Sequence, residues 1–296
     1  MKIVLIIAVL GIMVFAQDTT IKRSNRGVAE VITIKKGDSS EVRTYYPSGV
    51  IKRISHYKNS KLDGVDYNFS DKGVLEQCDS YLANVLEGQC DSYYADGKLK
   101  ETGKYSVGLP EGTYTSYYPS GRIFSTAVFK AGKKEGMSYE YYQSGAVSEE
   151  ANFEANNKEG AGTAYFEDGK VKKKCGYHIG NFHGESIEYY SDGKVKEIKY
   201  FIYGKADSVS TAYYPSGILK TEIRYSGAQK NGTAKTYYEN GNLWSVQNYL
   251  KDKVDGVMEI YREDKSLWYT DTYKFGQLIE SIEYSPDGKV INTKKF

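Results

Sequence analysis

The sequence repeats itself every 24 residues along almost its whole length. Each unit begins with two residues that are mostly Tyr-Tyr, then two variable residues and a glycine. The first residues of the successive units are Tyr45, Phe69, Tyr93, Tyr117, Tyr141, Tyr165, Tyr189, Tyr213, Tyr237 and Tyr261, and a last copy starts one residue early at Tyr284. Units of constant length and pattern fold as a stack in which each contacts its neighbours.

Four further positions of the unit, counted from this first aromatic residue, keep their residue type. Position 5 is glycine, position 7 is aliphatic, position 13 is aromatic and position 20 is mostly glycine. Lys265 is the exception at position 5, and Ser208 and Glu280 are the exceptions at position 20. In the clearest units the fixed residues are Tyr45, Gly49, Ile51, Tyr57 and Gly64; Tyr93, Gly97, Leu99, Tyr105 and Gly112; and Tyr117, Gly121, Ile123, Phe129 and Gly136.

The glycine and proline residues divide each unit into two strands and two turns. Positions 3 to 5 read Pro-Ser-Gly or Asp-Gly, which is typical of a tight turn with a positive φ at the glycine. Positions 15 to 20 predict a second, looser turn. The runs between the turns have the length of ordinary strands, and the five prolines fall in turns. We therefore predict an all-β fold, an elongated antiparallel sheet of about eleven consecutive β-hairpins.

Alternation assigns the two faces of this sheet. Positions 7, 11 and 13 have the same parity, so the aliphatic and aromatic rows share one face with a row of small residues, and we expect this face to point inward. Lysines recur at position 8 on the opposite, solvent-facing side, as at Lys52 and Lys100. The tyrosine pair at positions 1 and 2 is expected to place one ring on each face, with the hydroxyl groups left in water.

The two ends of the chain depart from the repeat. Residues 1–16 are an apolar stretch of signal-peptide length, too short to span a bilayer, and predict export with cleavage between Ala16 and Gln17. The alternative is an uncleaved membrane anchor; no later segment approaches the length of a transmembrane helix. Residues 17–44 lack the motif and predict a cap with one strand over 28–35. Residues 45–283 hold ten repeats, and 284–296 form a partial repeat and cap.

Composition and motifs favour a protein without catalytic, metal-binding or cofactor-binding residues. A net charge of +2 gives no general attraction to nucleic acid. Only three histidines and three cysteines are present, and no phosphate-binding loop or nucleophile motif occurs. His178 and His183 flank one turn and are interpreted as exposed turn residues rather than metal ligands.

Cys78 and Cys90 are the one pair of residues with a candidate covalent role. They occupy the two strands that flank the turn around Asn84, so we predict a disulfide, which export would allow. The alternative is that they are two small strand residues that never pair. Cys175 has no evident partner.

The segment Tyr93-Tyr94-Ala95-Asp96-Gly97-Lys98-Leu99-Lys100-Glu101-Thr102-Gly103-Lys104-Tyr105 resembles the variant MORN repeat, found in YwqK-like antitoxins of toxin–antitoxin systems. The resemblance extends from residue 45 to about residue 293. It implies a stack of β-hairpins and an interaction or scaffolding role, and the family motif contains no catalytic residues.

Three functions are consistent with these observations. The first is an exported, non-catalytic scaffold (periplasmic, on the outer surface or secreted) that binds a protein partner. The second is a module that binds cell-envelope polysaccharide through exposed tyrosine rows, because aromatic rings stack on sugars. The third is an antitoxin-like binder of a toxin. Nucleic acid is not an expected partner, and no transmembrane segment is expected after removal of the signal peptide.

Overall fold

The computed structural model of the chain describes residues 18–23, 25 and 27–296. These residues form strands and turns and contain no helix, which confirms the all-β prediction. The described residues divide into two compact units, with the boundary between residues 145 and 146. Within each unit, consecutive long strands pair antiparallel, as consecutive hairpins require. The short strands Lys61–Leu62 and Lys253–Val254 pair with the strand before them, which also pairs with the strand after them.

The strands of the first unit are β1 (Asp18–Arg23), β2 (Ala29–Lys36), β3 (Ser39–Tyr45), β4 (Ile51–Lys58), β5 (Lys61–Leu62), β6 (Gly64–Phe69), β7 (Leu75–Leu82), β8 (Val85–Tyr93), β9 (Leu99–Ser106), β10 (Leu109–Tyr117), β11 (Ile123–Lys130) and β12 (Lys133–Tyr141). The strand predicted in the N-terminal cap is β2, which pairs with β1 and β3.

The strands of the second unit are β13 (Val147–Glu154), β14 (Asn157–Tyr165), β15 (Val171–His178), β16 (Asn181–Tyr189), β17 (Val195–Ile202), β18 (Lys205–Tyr213), β19 (Leu219–Ser226), β20 (Gln229–Tyr237), β21 (Leu243–Leu250), β22 (Lys253–Val254), β23 (Gly256–Tyr261), β24 (Leu267–Lys274), β25 (Gln277–Tyr284) and β26 (Val290–Lys295).

The second turn of each repeat is tighter than predicted. It consists of positions 15 and 16 alone, and both residues have positive φ, for example Val107 at 50° and Gly108 at 77°. Two successive left-handed residues make the hairpin turn whose twist matches that of the flanking strands. We call these turns the hairpin tips.

The glycine at position 20 therefore belongs to a strand and not to a turn. Gly64 has φ 111° and Gly112 has φ 80°, and the register of the ladder shifts between Glu111 and Thr115. A β-bulge with a left-handed glycine accounts for both observations. Ser208, which replaces the glycine in one repeat, keeps the same conformation with φ 62°.

The most buried side chains lie on the face predicted to point inward, and all of those in the described residues except Ser245, at position 9, form one row at positions 11 and 22. Cross-strand pairing brings these positions opposite each other, as in Ala151 with Gly162. The aliphatic and aromatic residues at positions 7 and 13 are only half-buried. We call positions 11 and 22 the buried row; its most buried members include Ser55, Asp66, Asp79, Ser138, Ala151, Ser186, Ser210 and Ala234.

Candidate binding surface

The hairpin tips carry the most exposed apolar side chains of the first unit. Val107 is 77% exposed and Leu82 is 59% exposed, and Val85 and Leu109 are also exposed. Consecutive tips pack together, because Val85 Cγ1 lies 3.7 Å from the place where a Cβ on Gly108 would stand. Leu82, Val85, Val107 and Leu109 therefore form one patch over two neighbouring tips, which we call the apolar tip patch. Folding leaves it in contact with water.

At several hairpin tips, a carboxylate of the preceding repeat binds a backbone amide of the tip. Glu87 Oε2 accepts a hydrogen bond from the amide of Val107 at 2.7 Å. The same contact recurs one and three repeats later, from Ala131 to Glu111 and from Ile179 to Glu159, both at 2.8 Å. The acceptor is always at position 19 and the donor at position 15 of the next repeat. The left-handed residues at the tips are thus held in place, and their side chains project into solvent.

Where position 2 is tyrosine, it joins its repeat to the next; Ser70, Phe166 and Arg262 take its place in three repeats. The tyrosine hydroxyl donates to the backbone carbonyl of the residue 23 positions later, as in Tyr94 to Tyr117 at 2.6 Å and Tyr214 to Tyr237 at 2.8 Å. The expectation that these hydroxyls remain in water is therefore wrong. The sequence contains a signal of this role, because position 2 is tyrosine in seven of the ten repeats.

The aromatic pair also does not divide between the two faces. The Tyr118 ring contacts Phe124 at position 8 with centroids 5.1 Å apart, and Tyr261 Oη donates to Glu259 at 2.7 Å. Both partners lie on the face opposite the buried row. Position 2 begins the tight turn, since the Tyr118 carbonyl accepts from the Gly121 amide at 2.8 Å, so the strand alternation used for the prediction does not extend to it.

Position 8 presents a row of side chains over these rings. Lys52 lies over Tyr46 and Lys220 over Tyr214, with the ammonium 5.7 and 5.3 Å from the ring centroid. In two successive repeats the row carries tryptophan instead of lysine: Trp244 is 40% exposed and Trp268 is 38% exposed. Ser245 and Tyr269, which follow them, are both opposite Ile260 of β23. The two indoles are thus in matching register, two strands or roughly 10 Å apart.

His178 and His183 come together at one hairpin tip of the second unit, with ring centroids 5.6 Å apart and Tyr203 against both. His178 Nδ1 lies 2.8 Å from Glu159 Oε1, and this contact holds the pKa of Glu159 below its usual value. In the described part of the chain, no three acid, histidine or cysteine side chains are grouped so that they could hold a metal ion.

The structure contradicts the predicted disulfide between Cys78 and Cys90, since both are free thiols. The tight turn places Leu82 opposite Val85, and beyond the bulge Cys90 is opposite Asp79 while Cys78 is opposite Asp91. Neighbouring residues of a strand point to opposite faces, so the two sulfurs lie on different sides of the sheet. Burial raises the pKa of the Cys90 thiol to about 11, which disfavours the reactive thiolate.

The predicted signal peptide and its cleavage site at Ala16 and Gln17 lie outside the described residues. Within the described residues there is no helix with the length and apolar character needed to cross a membrane.

Six segments match the family model of the MORN repeat variant: residues 40–59, 86–106, 110–131, 158–178, 182–203 and 230–251. Each segment covers most of two consecutive strands and the glycine turn between them, and together they support a MORN repeat protein. No curated protein matches the chain.

Several solved structures align with the chain at low similarity. The crystal structure of TcdB2-TccC3-Cdc42 is 13% identical with a TM-score of 0.18, and the alignment covers 95% of this chain and 20% of that one. The Photorhabdus luminescens Tc holotoxin pore is 11% identical with a TM-score of 0.19, over 94% and 15%. A porin-like protein from Bacteroides uniformis is 12% identical with a TM-score of 0.15, over 88% and 91%. The chain thus spans a fifth or less of the first two structures. TM-scores this low carry no information about function.

Proposed function

We propose that the chain is an exported, non-catalytic scaffold that binds a protein partner through the apolar tip patch. The observation that supports this is the patch itself, in which Leu82, Val107 and Leu109 are exposed on a backbone that carboxylates of preceding repeats hold fixed. Exposed apolar groups that adjoin one another mark interaction sites more often than isolated ones do. A pre-ordered backbone lowers the entropy cost of binding.

Export to the periplasm, the outer surface or the medium is part of this proposal. It rests on the apolar stretch of residues 1–16. An antitoxin-like role, in which the partner is a toxin, is a narrower form of the same proposal. It would use the same surface and would be recognised by the identity of the captured partner.

The test uses Val107→Asn together with Leu109→Ser. Asparagine tolerates the left-handed conformation of residue 107, so the double variant removes the apolar surface and leaves the turn intact. The matched control is Ala131→Asn, the same turn position one repeat later with φ 48°. An envelope protein captured by the wild type and the control but not by the double variant supports the proposal. Identical capture by all three chains overturns it.

A second candidate function is polysaccharide binding, and Trp244 and Trp268 favour it. Two exposed indoles roughly 10 Å apart could stack on alternate sugar rings of an extended glycan. Retention of the wild type on insoluble envelope polysaccharide, lost in Trp244→Ala/Trp268→Ala and kept in Phe124→Ala, would support it. Phe124 occupies position 8 in another repeat and serves as the control. Equal retention of the two variants would exclude the tryptophan pair.

A further inference from the structure

A cavity of about 250 Å³ opens on the inward face of the first unit, over strands β7 to β10. Its walls include three tyrosines, Tyr81, Tyr105 and Tyr114, and its carboxylates include Asp79 and Glu101. None of the ten residues that line it is basic. The cavity thus combines aromatic walls with negative charge.

The cavity lies where one repeat departs from the pattern of the buried row. Position 22 is small in the next five repeats, as at Ser138 and Gly162, but it is Tyr114 here. The ring of Tyr114 lies over Gly103, where a Cβ would stand 2.5 Å from its Cδ1 atom. The large residue at position 22 therefore depends on glycine at the neighbouring position 11.

Two of the tyrosines form walls at nearly a right angle. The ring centroids of Tyr105 and Tyr114 are 6.0 Å apart and their planes are inclined by 77°. The hydroxyl of Tyr114 donates to the carbonyl of Lys104 at 2.9 Å, which holds the ring in place. Aromatic walls held at an angle around a cavity are the kind of lining with which proteins bind organic cations.

The charge of the cavity has no counterion among the lining residues. Asp79 is 7% exposed, and its Oδ2 accepts from Gln77 Nε2 at 2.8 Å, a neutral donor. Arg53, the basic residue on the same face, binds Asp66 at 2.9 and 3.0 Å and does not line the cavity. Glu101 adds a second carboxylate at an exposed position. A bound cation would neutralise this charge.

We propose that this cavity binds an alkylammonium group, with Asp79 and Glu101 supplying charge and Tyr81, Tyr105 and Tyr114 the aromatic contacts. Quaternary ammonium fits best, because its methyl groups have no hydrogen to donate and gain most from aromatic faces. The lining also includes Asp91 and the Cys90 thiol, but within the described residues its acid and cysteine side chains are not grouped so that they could hold a metal ion. This site is independent of the apolar tip patch, so either proposal can fail alone.

The test measures binding of choline to the full chain by saturation-transfer NMR of the N-methyl protons. The matched probe is 3,3-dimethylbutan-1-ol, which has the shape of choline and no charge. Saturable binding of choline together with at least about tenfold weaker binding of the alcohol supports the site. Equal binding of the two, or no saturable binding of choline, overturns it. Vesicles of phosphatidylcholine in a second arm show whether a lipid head group is also accepted.

Three variants locate the site. Tyr114→Ser restores the serine found at position 22 elsewhere, and we expect affinity for choline to fall about tenfold, as for Asp79→Asn. Glu101→Gln changes an exposed side chain without threatening the fold, and about threefold weaker binding is expected. The control is Glu149→Gln, the same repeat position two repeats later, which should bind choline like the wild type. Unchanged binding by Glu101→Gln and Tyr114→Ser, or an equal loss in the control, contradicts the assignment.

Discussion

The buried row is charged in the first two repeats and neutral in the middle ones. Asp66 and Asp79 are directly opposite each other in the ladder, whereas the later row holds residues such as Ser138, Ala151 and Ser186. Asp66 is 1% exposed and accepts from Arg53, from Ser55 Oγ at 2.5 Å and from Asn68 Nδ2 at 3.2 Å. A buried carboxylate is tolerated here because its neighbours supply donors.

A third aspartate of the row shows the opposite case. Asp271 occupies position 11 near the end of the second unit, opposite Met258 and Ser281. Its Oδ1 is buried and has no hydrogen-bond partner. The buried row thus carries a satisfied acid in one region, Asp66 at position 22, and an acid with an unsatisfied oxygen in another, Asp271 at position 11. The neighbouring side chains, and not the fold, decide whether a charge in the row stabilises the sheet.

The largest effect is expected from removing the cation that pairs with Asp66. Arg53→Met leaves the carboxylate buried without a charged partner and should lower the free energy of unfolding by about 3 kcal/mol, since breaking a buried pair typically costs that much. This loss is at the low end of the range for buried ion pairs, because the Arg53 side chain is 40% exposed. Denaturant unfolding measures it.

The double variant Arg53→Met/Asp66→Ser is the control for this prediction. It converts the site to the neutral form found in later repeats, so most of the loss should be recovered. A double variant that is no more stable than Arg53→Met alone would show that the charge pair is not the cause.

Gly103→Ala comes next, because the added Cβ would overlap the Tyr114 ring. Overpacking at a buried site typically costs about 2 kcal/mol, and we expect a fall in the free energy of unfolding of that size. In the Tyr114→Ser background the ring is gone, and the same substitution should be nearly neutral. Equal losses in both backgrounds would mean that the ring does not determine the cost.

Replacing an acid of the buried row by serine should have opposite signs in the two regions. Asp271→Ser removes an unsatisfied carboxylate oxygen and should stabilise the chain by about 1 kcal/mol. Asp66→Ser removes a carboxylate with three donors and should destabilise it by a similar amount. Thermal unfolding of the two single variants measures the difference. Shifts of the same sign would contradict the role given to the neighbouring donors.

The sequence predicted the period, the strands and the face shared by positions 7, 11 and 13, because these follow from local pattern. The register does not follow from local pattern. The tight turn at Ala83 and Asn84 and the bulge at Gly88 together decide which residue faces Cys78, and in the sequence the two look like one loose turn. The side-chain hydrogen bonds were not predicted either. The tyrosine contacts join residues 23 apart in the sequence, and the donors to Asp66 come from two strands. Hydrogen bonds between neighbouring repeats leave only a weak signal in the pattern of residue types.

We expect the stability of the chain to depend slightly on pH through a contact at a hairpin tip of the second unit. His178 and the amide of Ile179 bind the carboxylate of Glu159 and lower its pKa in the folded chain. A group with a depressed folded pKa stabilises the fold above its unfolded pKa, and this contribution is lost as the pH falls through the folded value. Between pH 6 and pH 3 the wild type should therefore lose slightly more stability than Glu159→Gln. Adding His178→Asn to that variant should change the acid loss no further. A Glu159→Gln chain that loses as much stability as the wild type over this range would show that the contact is too exposed to stabilise the tip.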